Sequence, residues 1–127
     1  SIKFNYSNKN LTISCDSEQI SRAFFNLIKN SIESIQEKLK KNGDFTKFIN
    51  IEITDKNDYI NICITDNGTG FSTDIINKIT KPYFTTKPEG SGLGLSIVSK
   101  IINDHNGSIK FNSDLKGAKV EIVLPKN

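Results

Sequence analysis

Tyr59-Ile60-Asn61-Ile62-Cys63-Ile64-Thr65-Asp66-Asn67-Gly68-Thr69-Gly70 alternates along its first eight residues and then breaks. Ile60, Ile62 and Ile64 fall on one face of an extended chain, and Asp66 continues the same phase. Strand alternation thus carries a carboxylate to the end of an apolar face, and a glycine turn follows it directly. A carboxylate at the rim of a pocket can accept a hydrogen bond from a ligand amine. An Asp also commonly opens a turn, and the local residues allow either role.

Immediately upstream, Phe48 to Thr54 reads as a second strand with Ile49, Ile51 and Ile53 on one face, joined to the first by a turn at Asp55 to Asp58. Before it, Lys38 to Lys47 is charged, contains Asn42-Gly43-Asp44 and reads as an exposed loop. A long helix precedes the loop. Asp16 is its expected N-cap, with Gln19 at the capping-box position, and the pattern runs to about Lys41. Ile20, Phe24, Leu27, Ser31 and Ile35 recur at about 100° per residue, the period of a helix buried on one side. Asn26, Asn30, Glu33 and Glu37 fall on the opposite face. Asn26 and Asn30 are one turn apart and point the same way, either as solvent-facing polar groups or as a pair of ligands. At the start of the chain, Ile2 to Tyr6 and Leu11 to Cys15 alternate on either side of Ser7-Asn8-Lys9-Asn10, which predicts a β-hairpin.

Downstream, Phe71 leads into a short helix over about Thr73 to Ile79, capped by Ser72 or Thr73. Two prolines make Lys81 to Glu89 irregular. Its aromatics, hydroxyls and lysines can cover a ligand or anchor a loop on the core. Gly90-Ser91-Gly92-Leu93-Gly94-Leu95 comes next, followed by a helix to about His105 with Ile97, Val98, Ile101 and Ile102 inward. Glycines without Cβ atoms let backbone N–H groups approach an anion, and a helix N-terminus adds further donors. The same glycines would also serve a flexible loop. The spacing excludes a Walker loop, and Leu95 stands where a dinucleotide-binding motif needs its third glycine. Ser108 to Ser113 and Ala118 to Leu124 are two last strands around the turn Asp114-Leu115-Lys116-Gly117. These alternating elements predict an α+β fold: a two-layer α/β sandwich, its mixed and mainly antiparallel sheet covered on one face by three helices.

The 127 residues suit one domain with one core, and 35% hydrophobic content is enough to fill it. A net charge of +3, dispersed among acidic and polar neighbours, gives no footprint for nucleic acid. No apolar run approaches membrane-spanning length. Cys15 and Cys63 fit no metal spacing and read as free, buried thiols. His105, the one histidine, ends a helix and reads as a structural or dipole partner. The residues assemble neither a Ser/His/Asp set nor a His/Cys metal cluster, whereas magnesium would accept oxygen ligands.

In chain order the features are an asparagine-bearing helix, a strand ending in Asp-Asn-Gly-Thr-Gly, an aromatic loop, and Gly-x-Gly-Leu-Gly-Leu opening a helix. That order resembles the ATP-binding catalytic domain of sensor histidine kinases, in the superfamily that includes gyrase, heat-shock chaperone and mismatch-repair ATPases. Asn26 to Ser31 is similar to the family's asparagine box and Asp66 to Phe71 to its first glycine box. Pro82 to Lys87 is similar to its aromatic box and Gly90 to Leu95 to its second glycine box. Gly117-Ala118-Lys119-Val120 resembles a weaker third one. The resemblance covers nearly the whole chain, and Thr85 to Gly90 is similar to the nitrogen-regulation branch.

The resemblance implies a Bergerat-type fold and a set of roles. Asp66 would accept from the adenine amino group, with Gly68 and Gly70 letting the base approach. Asn30 would bind magnesium, with Asn26 beside it in the catalytic set. Phe84, Thr86 and Lys87 would belong to the lid over ATP, Lys87 reaching the terminal phosphate. Gly90, Gly92, Leu93, Gly94 and Leu95 would hold the phosphates. The chemistry would be phosphoryl transfer by positioning and charge neutralisation. Hydrolysing relatives place a glutamate base where this chain has Asn26, which cannot take a proton from water. Two positions depart from the family: Glu33 stands where many sensor kinases carry lysine, and Ala118 where threonine is frequent.

The implied acceptor histidine lies on a separate, upstream dimerisation domain, with a response regulator as indirect partner. Residues 1–127 would then be the catalytic part of a longer cytoplasmic or membrane-bound sensor, making no direct membrane contact, binding ATP yet nearly inactive alone. A nucleotide-binding module without phosphotransfer and an anti-sigma-type serine kinase are the alternatives. The lid, about Lys81 to Ser91, is expected to be the most mobile part.

Overall fold

The computed structural model describes residues 2–6, 13, 15–70, 94–114 and 117–126. The period-two segments form five strands: β1 (Ile2–Tyr6), β2 (Ile49–Asp55), β3 (Tyr59–Asp66), β4 (Ser108–Asp114) and β5 (Gly117–Pro125). They lie in the order β1-β2-β3-β5-β4. β1 is parallel to β2, and every other pair is antiparallel. The sheet is therefore mixed and mainly antiparallel, as the alternation predicts.

The expected N-terminal hairpin requires correction. β1 pairs with β2, with Ile2 opposite Ile49. A parallel pair needs a long crossover, and the connection that contains the first helix supplies it. Leu11, Thr12 and Ser14 lie outside the described residues, while Ile13 and Cys15 are not in a strand. β2 begins at Ile49 rather than Phe48 because the Phe48 N–H leaves the ladder and donates to Asn67 Oδ1 at 2.9 Å.

Two helices are described, α1 (Ser17–Asn42) and α2 (Gly94–Asp104). The expected third, over Thr73 to Ile79, falls outside the described residues. α1 starts where its cap dictates: Asp16 Oδ1 accepts the Gln19 N–H at 3.1 Å. It stops at Gly43, whose φ of 78° closes the last turn with an N–H bond to the Leu39 carbonyl. The helix thus runs about as far as its pattern predicts, to Asn42 against an expected end near Lys41, and the loop expected from Lys38 begins only at Gly43.

Both helices cover the face that carries Ile51, Ile62, Ile64, Val120, Ile122 and Leu124. α1 adds Ala23, Leu27 and Ile35, and α2 adds Val98, Ile101 and Ile102. Each large apolar side chain buried there contributes about 1.5–3 kcal/mol. The opposite sheet face carries Glu52, Asn61, Cys63, Lys119 and Glu121 and stays partly open to solvent. Cys63 is half-buried there, and Cys15 is exposed at the bend before α1 rather than buried; both thiols are free.

His105 joins the two helices. Its Nδ1–H donates to the Ile101 carbonyl at 2.8 Å, and its Nε2 accepts the Asp16 N–H at 3.0 Å. The C-terminal end of α2 is thereby fixed against the N-cap of α1, the structural role its position suggests.

Candidate functional site

Asp66 ends β3 in phase with the core and is 7% exposed. Three donors converge on its carboxylate: the Gly68 N–H at 2.9 Å from Oδ1, the Ser31 hydroxyl, and the Ala118 N–H. A carboxylate offers about four lone-pair sites, so the set leaves room for a further donor. Burial pushes the Asp66 carboxyl above its ordinary value; the Gly68, Ser31 and Ala118 hydrogen bonds and the Lys38 charge pull it back down.

The turn after Asp66 is held from several sides. Ser34 Oγ accepts the Thr69 N–H at 2.9 Å and lies 3.1 Å from the Thr69 hydroxyl. Lys38 Nζ donates to the Asn67 carbonyl at 2.9 Å. The Asn67 side chain bonds the Thr46 carbonyl and the Phe48 N–H, which ties the loop before β2 to the same turn. Gly68 is buried against α1, and a Cβ there would lie 2.3 Å from Ser34 Oγ and 2.8 Å from the Ile35 nitrogen. Gly70 has φ 74°, the left-handed region that glycine enters freely. At the head of β5, a Cβ on Gly117 would lie 2.0 Å from the Asp66 carbonyl oxygen.

Asn26 and Asn30 stack on α1 as predicted, but not opposite its buried face. Both are half-buried, as is Glu33, and only Glu37 of that stripe is exposed. α1 packs on both the sheet and α2, so its sheltered arc is wider than one apolar stripe. Asn30 immediately precedes Ser31, which places it one residue from the Asp66 network. Gly94 is the first residue of α2, and Leu95 is partly buried against the core. Phe84, Thr86, Lys87, Gly90, Gly92 and Leu93, with the whole expected lid, lie outside the described residues. Among the described residues, no group of three His, Cys, Asp or Glu side chains gathers for a metal. No helix among them is long and apolar enough to cross a membrane.

Sequence reading missed four contributors: Ser31 as a partner of Asp66, and Ser34, Lys38 and Asn67 as the frame of the turn. Ser31 left a signal, a polar residue inside an apolar helical stripe. Lys38 left none, because its charge resembled that of the surrounding lysines.

The family described as histidine kinase-, DNA gyrase B- and HSP90-like ATPase matches residues 15–127. The chain belongs to this family. A relative in Rickettsia conorii, named sensor histidine kinase NtrY-like, is 36% identical over 121 residues, covering 94% of this chain and 19% of its own. Sporulation kinase A of Bacillus subtilis is 33% identical over 126 residues, covering 98% of this chain and 20% of its own. The chain thus spans about a fifth of the length of these relatives. Among solved structures, the nucleotide-free catalytic domain of histidine kinase ThkA matches 98% of this chain and 78% of its own, with a TM-score of 0.84 and 30% identity. ThkA in complex with the response regulator TrrA matches at a TM-score of 0.79 and 28% identity, over 99% of this chain and 34% of its own.

Proposed function

We propose that this chain is the catalytic and ATP-binding domain of a longer sensor histidine kinase, and that it donates the γ-phosphoryl group of ATP to a histidine on a separate dimerisation domain. The observation that carries the reading is the Asp66 carboxylate, buried at the end of β3 beside a glycine turn that donates the Gly68 N–H to it. A carboxylate there suits the adenine amino group, and Gly68 lets the turn after it pack directly on α1. The match to about a fifth of the length of both kinase relatives supports a domain of a longer kinase. Such a kinase would act in the cytoplasm, with a response regulator downstream, as ThkA's complex with TrrA suggests.

The phosphate end of the site is read from the helices. α2 has its C-terminal end fixed at Asp16 and packs along α1. A phosphate held by Gly90 to Leu95 would meet the positive end of α2, which begins at Gly94. The amide oxygen of Asn30 fits a magnesium ligand, since magnesium takes oxygen donors and retains several waters. When bound, magnesium would neutralise phosphate charge. Asn26 contributes polarity without basicity, which protects the phosphoryl group from activated water. Lys87, with Phe84 and Thr86, would close over the phosphates.

Calorimetry on the 127-residue chain tests the reading: it should bind ADP more tightly with magnesium than without, and Asn30→Ala should erase that difference. Absence of nucleotide binding by the folded chain would overturn it. Joined to its native acceptor domain, the chain should yield acid-labile phosphohistidine. An acid-stable product would favour a serine kinase, and binding without transfer would favour a nucleotide-sensing module.

A further inference from the structure

Ser34 and Lys38 are one helical turn apart on α1, and each holds one side of the turn that follows Asp66. Ser34 takes the Thr69 N–H at 2.9 Å and meets its hydroxyl at 3.1 Å. Lys38 donates to the Asn67 carbonyl at 2.9 Å. Between Asn67 and Thr69, Gly68 lies against the Ser34 and Ile35 backbone and aims its N–H at Asp66 Oδ1. With the residues on both sides anchored to α1, the direction of that N–H is fixed.

We propose that Ser34 and Lys38 are positioning residues for base recognition, acting through Thr69 and Asn67 to set the Gly68 amide and hence the Asp66 carboxylate. The inference rests on the reading of Asp66 as the adenine acceptor. Neither side chain need touch the ligand.

The placement of Lys38 is unlike that of a solubilising lysine. A surface lysine ordinarily extends its ammonium into water. Lys38 is half-buried, spends a hydrogen bond on a main-chain carbonyl, and lies 4.7 Å from the centroid of the Phe45 ring. The aromatic face offsets part of the lost hydration. Its charge also favours the ionised form of Asp66. Ser34 likewise uses its hydroxyl across the interface between α1 and the turn.

The test compares two ligands on the 127-residue chain, both with magnesium: ADP, which carries the base, and inorganic tripolyphosphate, which does not. Ser34→Ala and Lys38→Met should each weaken ADP about fivefold to tenfold, the scale of one lost hydrogen bond. Tripolyphosphate affinity should stay unchanged in both. Lys38→Arg, which can still donate to Asn67 and stack on Phe45, should restore most of the ADP affinity. Unchanged ADP binding in both variants overturns the proposal, and so does an equal loss of both ligands, which marks a merely structural role. Wild-type chain that binds tripolyphosphate but gains nothing from the base overturns the adenine reading itself, before any variant is considered.

Discussion

Gly68 and Ser34 are packed so closely that a Cβ on the glycine would lie 2.3 Å from Ser34 Oγ and 2.7 Å from the Ser34 carbonyl carbon. The serine hydroxyl could rotate away, but the helix backbone could not. Gly68→Ala must therefore push the turn off α1 or bend the helix. Overpacking of this kind costs about 1–3 kcal/mol, and backbone contacts put this position at the upper end. The expected result is a lower melting temperature together with loss of ADP binding, read by thermal denaturation and calorimetry on the same sample. Adding Ser34→Ala should not rescue it, because the Ser34 carbonyl carbon and Ile35 nitrogen remain in the way.

Asp66→Asn separates recognition from folding. The amide keeps an oxygen for the Gly68 N–H but loses the charge and half of the acceptor capacity. A hydrogen bond to a charged group is worth about 1.5–3 kcal/mol, so ADP affinity should fall about tenfold to a hundredfold. Tripolyphosphate binding should be retained. Circular dichroism should show an intact fold. ADP affinity equal to that of the wild type would remove Asp66 from the base site.

His105 is predicted to matter for stability alone. His105→Ala removes the acceptor of the Asp16 N–H and the donor to the Ile101 carbonyl, at the N-terminal end of α1, whereas the Asp66 turn is held by Ser34 and Lys38 in its C-terminal half. Two modest hydrogen bonds correspond to about 1–3 kcal/mol. Urea denaturation should show that loss while the dissociation constant for ADP, measured well below the transition, stays at the wild-type value. A selective change in affinity without a change in stability would place His105 in the site instead.

The fold was largely legible because burial is one-sided. Ile60, Ile62 and Ile64 alternate because one sheet face meets the helices, and the Asp66 phase follows from the same geometry. Asp16 and Gln19 marked the start of α1 through backbone groups that a helix end must satisfy, whereas Gly43, the residue that stops it, was read only as part of a loop. Strand pairing was less legible. β1 alternates whether its neighbour is antiparallel or parallel, and turn-like residues after Tyr6 suggested a hairpin where the partner proved to be β2. In the site, Asp66, Gly68 and Gly70 could be read because a strand end and a glycine turn constrain residue type. Ser34 and Lys38 could not, since their importance lies in contacts with Thr69 and Asn67, more than 25 residues away in sequence. Cys15 was expected to be buried from a strand pattern that the chain does not follow at that point.

Burial of Asp66 also sets the sign of a pH effect. Its carboxyl is raised above the ordinary value of 3.8, chiefly by desolvation, so the folded chain holds the proton to a higher pH than the unfolded chain does. A group of this kind contributes stability that is full below its unfolded value and is lost as pH rises through its folded value. Adenine recognition needs the ionised acceptor and runs the other way. As pH falls from neutral through the raised value, ADP affinity should decline while the Asp66 contribution to stability grows. Asp66→Asn should flatten both trends. The wild-type and Asp66→Asn chains are compared at each pH by urea denaturation and by ADP titration, because subtracting the variant cancels the titration of the other carboxylates. The two wild-type-minus-variant differences should move in opposite directions over one pH window. Differences that move together, or that are flat, would mean that Asp66 does not accept the ligand as an ionised carboxylate.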